Sequence, residues 1–258
     1  DIADSGERRS LQTLKEIKSN FINYKELKFG NNCNLKYPSF FNIYSKKAAT
    51  HLIDGLILDQ STVLFKEEEE LIQYSYYVAG TVGLMMCDAL NCENQDAYLF
   101  AIDLGIAMQL TNIARDVLED AKMGRRYIPG SWIDNISPNA MIRGVNNNNT
   151  EIFRTVSFGI KKLLNLADKY YYSGTQGLIF LPLKTRIAIS IASGVYRQIG
   201  IQLKLKNYCW YNGRQVTSNI TKAKVTFFKI IEEFVRNKNQ KNHDPELHKF
   251  LKEIIVSE

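Results

Sequence analysis

The stretch "AMQLTNIARDVLEDAKMGRRYIP" (Ala107–Pro129) carries a polar face within an otherwise apolar helical pattern. Asn112, Asp116 and Asp120 recur at intervals of four, so they share one face of a predicted helix, and Gln109 lies on the same side. Like charges on one helical face are destabilising unless a cation lies against them. We therefore predict that this face binds a cation.

The residue types indicate which cation this would be. Two carboxylates and an amide oxygen are hard ligands of the kind that Mg²⁺ prefers, and Mg²⁺ commonly fills its remaining positions with water and substrate phosphate. Arg115, Arg125 and Arg126 are close in sequence and could hold phosphate oxygens. A solvated acidic face with ordinary ion pairs is the alternative. It explains the aspartates well, but it explains Asn112 and Gln109 among apolar neighbours less well.

Apolar residues recur at intervals of three and four along most of the chain, which predicts a single all-α domain spanning residues 1–258. Only five prolines interrupt the pattern, and Ser137-Pro138 is a typical start for one helix. The stretch "RGVNNNNT" (143–150) is predicted to be the least structured loop. We expect longer helices at 9–28, 41–64, 67–90, 94–121, 151–174, 184–207 and 220–237, and a shorter one near the C-terminus.

Small residues interrupt the helix predicted at 67–90, in "YSYYVAGTVGLMM". Each glycine in a helix interior costs roughly 1 kcal/mol relative to alanine. Ala79, Gly80 and Gly83 therefore serve either close contact between helices or space for a ligand. The sequence alone leaves both alternatives open.

The net charge of +6 over 258 residues favours an anionic partner: nucleic acid, a membrane surface or a phosphorylated substrate. The sequence contains no helix-turn-helix, zinc-finger or RNP motif, and a generally basic surface is the simpler interpretation. The four cysteines form no C-x-x-C pair and the three histidines lie apart from them, so a structural zinc site is not predicted. Free thiols, with no signal peptide or long uncharged apolar run, favour a cytoplasmic location.

Four segments together resemble the squalene/phytoene synthase family, most closely its bacterial phytoene synthases. They are "YSYYVAGTVGLMM", "DLGIAMQLTNIARDVLEDAKMGRRYIP", "SGTQGLIFLPLKTRIAISIASGVYRQIG" and "WYNGRQVTSNITKAKV", and they are spread from Tyr74 to Val225, so the resemblance extends over most of the chain. The resemblance implies the all-α isoprenoid (terpenoid) synthase fold. In that fold a single helical bundle surrounds a deep central pocket, with two aspartate-rich helices facing each other across it.

The resemblance also implies a role for each residue that matches a family motif. Asn112, Asp116 and Asp120 would form the second metal-binding set, Gln109 would face the reacting carbons, and Tyr74 would lie near the diphosphate as a catalytic residue. The residues implied to bind the substrate diphosphate are Arg115, Arg126, Tyr127, Tyr196 and Arg214.

The opening "DIAD" resembles the end of the family's first aspartate motif, D-D-I-A-D. Asp4 would then be a metal-binding and catalytic carboxylate, and Asp1 the middle residue of the motif. On this interpretation the leading aspartate and the preceding helix are missing. We expect the 258 residues to be a truncated form that is inactive alone.

The implied reaction is head-to-head condensation of two geranylgeranyl diphosphate molecules, through prephytoene diphosphate, to phytoene, with release of diphosphate. Mg²⁺ would be required, with Mn²⁺ as a substitute, and NADPH would not. Squalene or hydroxysqualene/dehydrosqualene formation from farnesyl diphosphate is one alternative. A non-catalytic assembly factor is another, although such members tend to lose the aspartates. Nucleic acid is not expected as a partner, whereas the basic charge would suit loose attachment to an anionic membrane.

Overall fold

The computed structural model describes residues 8–22, 43–92, 94–236, 239 and 242–255, and over these ranges it confirms the all-α class. A single isolated parallel bridge joins Leu64 to Arg126, and no strand is present in the described ranges. The helices are α1 (Arg8–Ile22), α2 (Ile43–Leu58), α3 (Glu68–Ser75), α4 (Thr81–Ala89), α5 (Asp96–Arg115), α6 (Val117–Lys122), α7 (Pro138–Asn146), α8 (Thr150–Gly174), α9 (Leu183–Leu205), α10 (Asn219–Val235) and α11 (Lys252–Ile255).

Helix α5 is the centre of the bundle. It packs along α8 and also contacts α3, α4 and α9. Ile106, Ala107, Leu110 and Ala114 on α5 are completely buried, and burying each large aliphatic side chain contributes roughly 1.5–3 kcal/mol. The helix is long and apolar enough to cross a membrane, but most of it is covered by its neighbours, as expected for a core helix.

The helix predicted at 94–121 is divided in two. Helix α5 ends at Arg115, Asp116 has φ −102° and ψ 14°, and α6 begins at Val117. Backbone hydrogen bonds nevertheless continue across the break, from Asp116 N to Asn112 O (2.9 Å) and from Asp120 N to Asp116 O (2.8 Å). Hydrophobic periodicity could not reveal this break because the spacing of four is kept through it.

The helix predicted at 67–90 contains an irregular turn. A π-helical segment, Tyr76–Gly80, separates α3 from α4, and π turns often occur at functional sites. At the start of α3, Glu67 and Glu70 form a capping box. The glutamates at this end therefore act as a helix start.

The asparagine-rich stretch 143–150 is more ordered than predicted. Helix α7 extends to Asn146, and Asn149 caps α8 by accepting hydrogen bonds from Glu151 N and Ile152 N. The predicted start of α7 is confirmed, because Ser137 Oγ accepts from Ala140 N. Short polar side chains cap helices well, and this explains how a low-complexity run can join two helices.

The C-terminal residues 242–255 are attached to the bundle through a buried carboxylate. Asp103 of α5 accepts hydrogen bonds from His243, His248 and Ser173. Burial alone would raise the pKa of Asp103, but the hydrogen bonds from the two histidines and from Ser173 outweigh it and hold the pKa below the usual range. Tyr170 Oη also donates to the carbonyl of Leu247, at 2.6 Å.

Candidate active site

A cavity of about 380 Å³ lies beside α5, bordered by the π turn, α4, the 3₁₀ segment Thr175–Phe180 and α9. Most of its lining is apolar and much of that is small, including Ala79, Gly83, Ala101, Gly105, Gly174 and Gly177. Gln109, Asn112 and Tyr196 supply polar groups to the same lining. The cavity therefore combines a long apolar wall with a polar region on α5 and α9.

Glycines in this wall allow helices to approach closely. A Cβ atom on Gly105 would lie 2.3 Å from the carbonyl oxygen of Ala79, and one on Gly83 would lie 2.2 Å from that of Ala101. Both glycines also line the cavity. For Gly83, close helix contact and a place in the cavity lining therefore apply together, whereas a Cβ atom on Gly80 would contact Tyr76 and Ile102 and Gly80 is outside the lining.

Asn112 has an unusual polar atom. Its Oδ1 is buried and accepts no hydrogen bond from any residue in the described part of the chain. Its Nδ2 lies 3.5 Å from Gln109 Oε1. A buried acceptor left unsatisfied costs about 1–3 kcal/mol, and a cation bound to this oxygen would remove that cost.

Asp116 is held between two arginines. Arg115 donates to it from Nε at 2.8 Å and from Nη2 at 2.6 Å, and Arg214 Nε lies 2.9 Å from Oδ1. The structure thus brings two predicted diphosphate-binding residues to a predicted metal ligand. Arg214 is about half exposed (53%) and is the more accessible of the two.

Asp120 experiences a strongly unfavourable environment for its charge. Burial, followed by the nearby charge of Asp116, raises the pKa of Asp120 to about 7, and Asp59 and Glu119 add to the effect while Arg125 opposes it. Several carboxylates converging on a partly buried site are the setting in which a divalent cation binds well. The donor set of Asn112, Asp116 and Asp120 therefore fits Mg²⁺.

Replacing Asp120 by asparagine should stabilise the metal-free protein at alkaline pH. The pKa of Asp120 is raised in the folded state, so its contribution to stability is present below about pH 4 and is lost as the pH rises through 7. Thermal unfolding of both proteins would be measured in the presence of a chelator. The unfolding temperature of Asp120→Asn should exceed that of the parent by more at pH 8 than at pH 5. An equal gain at both pH values would contradict the raised pKa.

Asp59, which no sequence motif indicated, contacts two of the predicted site residues, Tyr74 and Tyr127. Tyr74 Oη donates to its Oδ2 at 2.9 Å and Tyr127 Oη to its Oδ1 at 2.8 Å, while the two rings stack 4.9 Å apart. Arg125 donates to its main-chain oxygen. Asp59 follows α2 outside any recognisable motif, and only the folded chain brings it to the tyrosines.

Tyr74 and Tyr127 are almost completely buried, and neither lines the cavity. Burial, together with the charge of Asp59, raises the pKa of both tyrosines. Their hydroxyl groups stay protonated and remain donors. In the structure both hydroxyls donate hydrogen bonds to Asp59. The catalytic role of Tyr74 and the diphosphate contact of Tyr127 therefore remain predictions.

Arg126, whose predicted contact with diphosphate remains a prediction, lies outside the cavity lining. Its guanidinium is buried, and it donates to the carbonyl oxygens of Phe65 (2.8 Å) and Ile136 (3.1 Å). These bonds give it a part in holding the loop after α6. Asp4, the predicted metal ligand of the first motif, lies outside the described residues.

Comparison with known proteins connects this site to a family. The family model described as squalene/phytoene synthase matches residues 41–224. The 15-cis-phytoene synthase of Pantoea ananas is 36% identical over 169 residues, covering 64% of this chain and 52% of that protein. The phytoene synthase of Pseudescherichia vulneris is 35% identical over 176 residues, covering 68% of this chain and 55% of that protein. The chain spans about half the length of these curated relatives.

A solved structure supports the fold. The crystal structure of a dehydrosqualene synthase in complex with ligand superimposes with a TM-score of 0.71 at 22% identity, covering 88% of this chain and 81% of that one. This likeness confirms the predicted isoprenoid synthase fold. The family match covers well over half of the chain and includes the helix that carries the polar face. This protein therefore belongs to the squalene/phytoene synthase family.

Proposed function

We propose that this protein condenses two molecules of geranylgeranyl diphosphate head to head, through prephytoene diphosphate, to phytoene, releasing diphosphate. The observation that carries the proposal is the unpartnered buried Oδ1 of Asn112 on α5, in the lining of an apolar cavity. Asp116, between α5 and α6, and Asp120 on α6 follow it at intervals of four. Such a cavity suits a long hydrocarbon with a charged end. The names of the relatives from Pantoea and Pseudescherichia agree with this reaction.

Asn112 Oδ1 and the carboxylates of Asp116 and Asp120 would hold Mg²⁺, with Mn²⁺ as a substitute. When bound, the ion supplies neutralisation of the negative charge on the leaving diphosphate. The condensation to phytoene consumes no hydride, so NADPH is not expected to be needed.

Arg115 and Arg214 are proposed to bind the diphosphate oxygens. Both guanidinium groups already lie against Asp116, where a divalent ion would compete for the carboxylate. Arginines released in this way would be positioned to donate to phosphate. Tyr196 in the cavity lining would add a hydroxyl donor, and Gln109 would face the reacting carbons.

The apolar wall is proposed to exclude water from the allylic cation that forms when diphosphate leaves. Leu104, Leu178 and Leu181 line the cavity and present only saturated hydrocarbon, which does not react with a carbocation in place of the second substrate. The second substrate's double bond then attacks the cation, and loss of a proton closes the cyclopropane ring of prephytoene diphosphate. A second ionisation, rearrangement and loss of a proton complete the triene.

Product analysis tests this function. The full-length protein encoded by the gene would be incubated with Mg²⁺ and no NADPH, with either geranylgeranyl or farnesyl diphosphate, and the hydrocarbon identified by mass spectrometry. Phytoene from the C20 substrate is expected. A C30 product formed from farnesyl diphosphate alone would support the same condensation mechanism but show that farnesyl diphosphate is the substrate. No diphosphate release from either would favour the non-catalytic assembly factor.

We also propose that the protein attaches loosely to the cytoplasmic face of an anionic membrane, through one stripe on α10. Residues of this stripe share a helical face and are 45–76% exposed: Ile220, Phe227, Phe228, Ile231, Phe234 and Val235. Exposed Lys224 lies on the same face and Lys222 is exposed on the same helix. Apolar groups combined with lysines and a net charge of +6 suit an anionic lipid surface.

Vesicle sedimentation tests this attachment. Binding to vesicles rich in anionic phospholipid is expected at low salt, and the double substitution Phe227→Ser and Phe234→Ser should weaken it by about tenfold. Phe158→Ser, at an exposed position on α8, is the matched control and should bind normally. If the double substitution leaves vesicle binding unchanged but abolishes a dimer, the stripe would belong to a contact between two copies.

A further inference from the structure

Three ligand-type side chains meet in the interior at a distance from the polar part of the cavity. His243 Nε2 lies 2.8 Å from Asp103 Oδ2, and His248 Nε2 lies 2.7 Å from Asp103 Oδ1. The side chain of Asp103 is fully buried, and those of the histidines are 8–9% exposed. Asp103 is nine residues before Asn112 on α5, which is about 13 Å along a helix. This cluster is therefore separate from the proposed Mg²⁺ ligands.

We propose that Asp103, His243 and His248 bind one transition-metal ion of the Zn²⁺ type. One ligand atom from each of the three side chains lies within 4.8 Å of the other two. Two imidazole nitrogens and one carboxylate oxygen form a ligand set that suits Zn²⁺ and differs from the all-oxygen set that suits Mg²⁺. Both histidines direct the same nitrogen, Nε2, to the same carboxylate.

Two nitrogen–oxygen distances are already close to those of a metal site, and the three ligand atoms all lie within 4.8 Å of one another. With metal–ligand distances of about 2.0–2.1 Å, neighbouring ligand atoms of a tetrahedral site are about 3.3 Å apart. The present nitrogen–oxygen distances of 2.7–2.8 Å would widen by about half an ångström. The ion would take the place of the hydrogen-bonding protons between the rings and the carboxylate. Ser173, whose hydroxyl also donates to Asp103, would orient the carboxylate without binding the ion itself.

A fourth ligand could reach the ion from a neighbouring cavity. This second cavity, of about 430 Å³, is lined by Phe100, Ser173, Asn242 and Leu247 among others. Phe100 packs edge-on against His243, and Ser173 contacts Asp103, so the cavity adjoins the cluster. Water from this side would complete a four-coordinate site.

The bound ion would link α5 to the C-terminal residues 242–255. Asp103 belongs to α5, whereas His243 and His248 belong to the C-terminal residues 242–255. An ion that binds only the folded arrangement stabilises it by mass action. We therefore expect Zn²⁺ to raise the unfolding temperature and to protect the C-terminal residues from proteolysis.

A purely hydrogen-bonded cluster is the competing explanation, and glutamine substitutions separate the two. Glutamine can keep an N–H donor near the position of Nε2 but lacks the imidazole nitrogen that binds a metal. The double variant His243→Gln and His248→Gln would therefore retain donors to Asp103 while losing two metal ligands. His51→Gln is the matched control, since His51 contacts Tyr76 and is not part of the cluster.

Zn²⁺ binding would be measured on the full-length protein by equilibrium dialysis, with millimolar Mg²⁺ present to occupy the proposed Mg²⁺ ligands. The parent and His51→Gln should bind one Zn²⁺ per chain at this cluster, and the double variant should bind it at least about 100-fold more weakly. Co²⁺ should give a visible absorption spectrum that the double variant lacks. If the double variant does not fold, His243→Gln alone serves for the same comparison.

Two results would overturn the proposal. One is the absence of stoichiometric Zn²⁺ binding at micromolar concentration in the parent. The other is that the glutamine variants keep the Zn²⁺ affinity, the Co²⁺ spectrum and the Zn²⁺-dependent unfolding temperature of the parent. The cluster would then be a set of hydrogen bonds that holds the C-terminal residues against α5.

Discussion

Replacing Asp116 by asparagine is expected to lower product formation from geranylgeranyl diphosphate by about a thousandfold. Asp116 is proposed to bind Mg²⁺, and it also positions Arg115 and Arg214 through bonds of 2.6–2.9 Å. Its loss would remove one metal ligand and leave both arginines without their common partner. Loss of a single preorganised group that stabilises transition-state charge costs 10²–10³ in rate in well-studied enzymes.

Glu119→Gln provides the matched control for Asp116→Asn. Glu119 lies on α6 near the same carboxylates and contributes to the raised pKa of Asp120, but it is outside the proposed ligand set. Steady-state rates with saturating Mg²⁺ should therefore stay within a few-fold of the parent for Glu119→Gln. More than a tenth of parental activity in Asp116→Asn would contradict the assignment of the metal-binding face.

Replacing Gly105 by alanine is expected to lower the free energy of unfolding by about 2 kcal/mol and the unfolding temperature by about 5 °C. The new Cβ would meet the carbonyl oxygen of Ala79 at 2.3 Å and the Cα of Gly80 at 3.0 Å. These are backbone atoms, so no side-chain rotation relieves the contact and α5 must move away from the π turn. This cost exceeds the roughly 1 kcal/mol that alanine contributes through helix propensity.

Gly194→Ala is the matched control for Gly105→Ala. Its Cβ would meet the flexible end of the Lys229 side chain and Val225 Cγ1, each at 3.0 Å. Small side-chain movements can relieve this contact, so thermal and denaturant unfolding should show a change of less than about 1 kcal/mol. A Gly105→Ala protein as stable as the parent would show that close packing does not require this glycine.

Helices α8, α9 and α10 were predictable because each depends on local spacing and local caps, whereas the helix predicted at 41–64 ends at Leu58. The pattern of α8 and the Ser137-Pro138 start of α7 are present in consecutive residues, and both are confirmed with shifts of one or two residues. The break at Asp116 was not predicted, since the spacing of four and its backbone bonds continue through it. The order at 143–150 was also missed, because Asn149 acts as a cap that composition alone does not indicate.

Residue spacing alone predicted the site only where its members lie on one helix, whereas Tyr196 and Arg214 were named from the family resemblance. Gln109 and Asn112 both reach the cavity, as their spacing predicts. Asp59 is 15 residues from Tyr74 and 68 from Tyr127, and no local pattern connects them. Arg126 follows the predicted metal-binding face in sequence, and its guanidinium donates to backbone carbonyls outside the cavity lining.

The histidine cluster shows the same limit. No structural zinc site was predicted, because the cysteines form no C-x-x-C pair and the histidines lie apart from them in the sequence. Asp103 and His243 are 140 positions apart. Their meeting depends on how the C-terminal residues return to α5, which hydrophobic spacing does not specify.

The central claim is that Asn112, Asp116 and Asp120 bind a divalent ion that holds the diphosphate of the substrate. Isothermal titration of an unreactive thiodiphosphate analogue of geranylgeranyl diphosphate into the full-length protein tests it most directly. The parent protein should bind the analogue at least about tenfold more tightly with Mg²⁺ than with a chelator. Asp116→Asn should bind it with the same affinity in both conditions. Equal affinity with and without Mg²⁺ in the parent protein would contradict the claim.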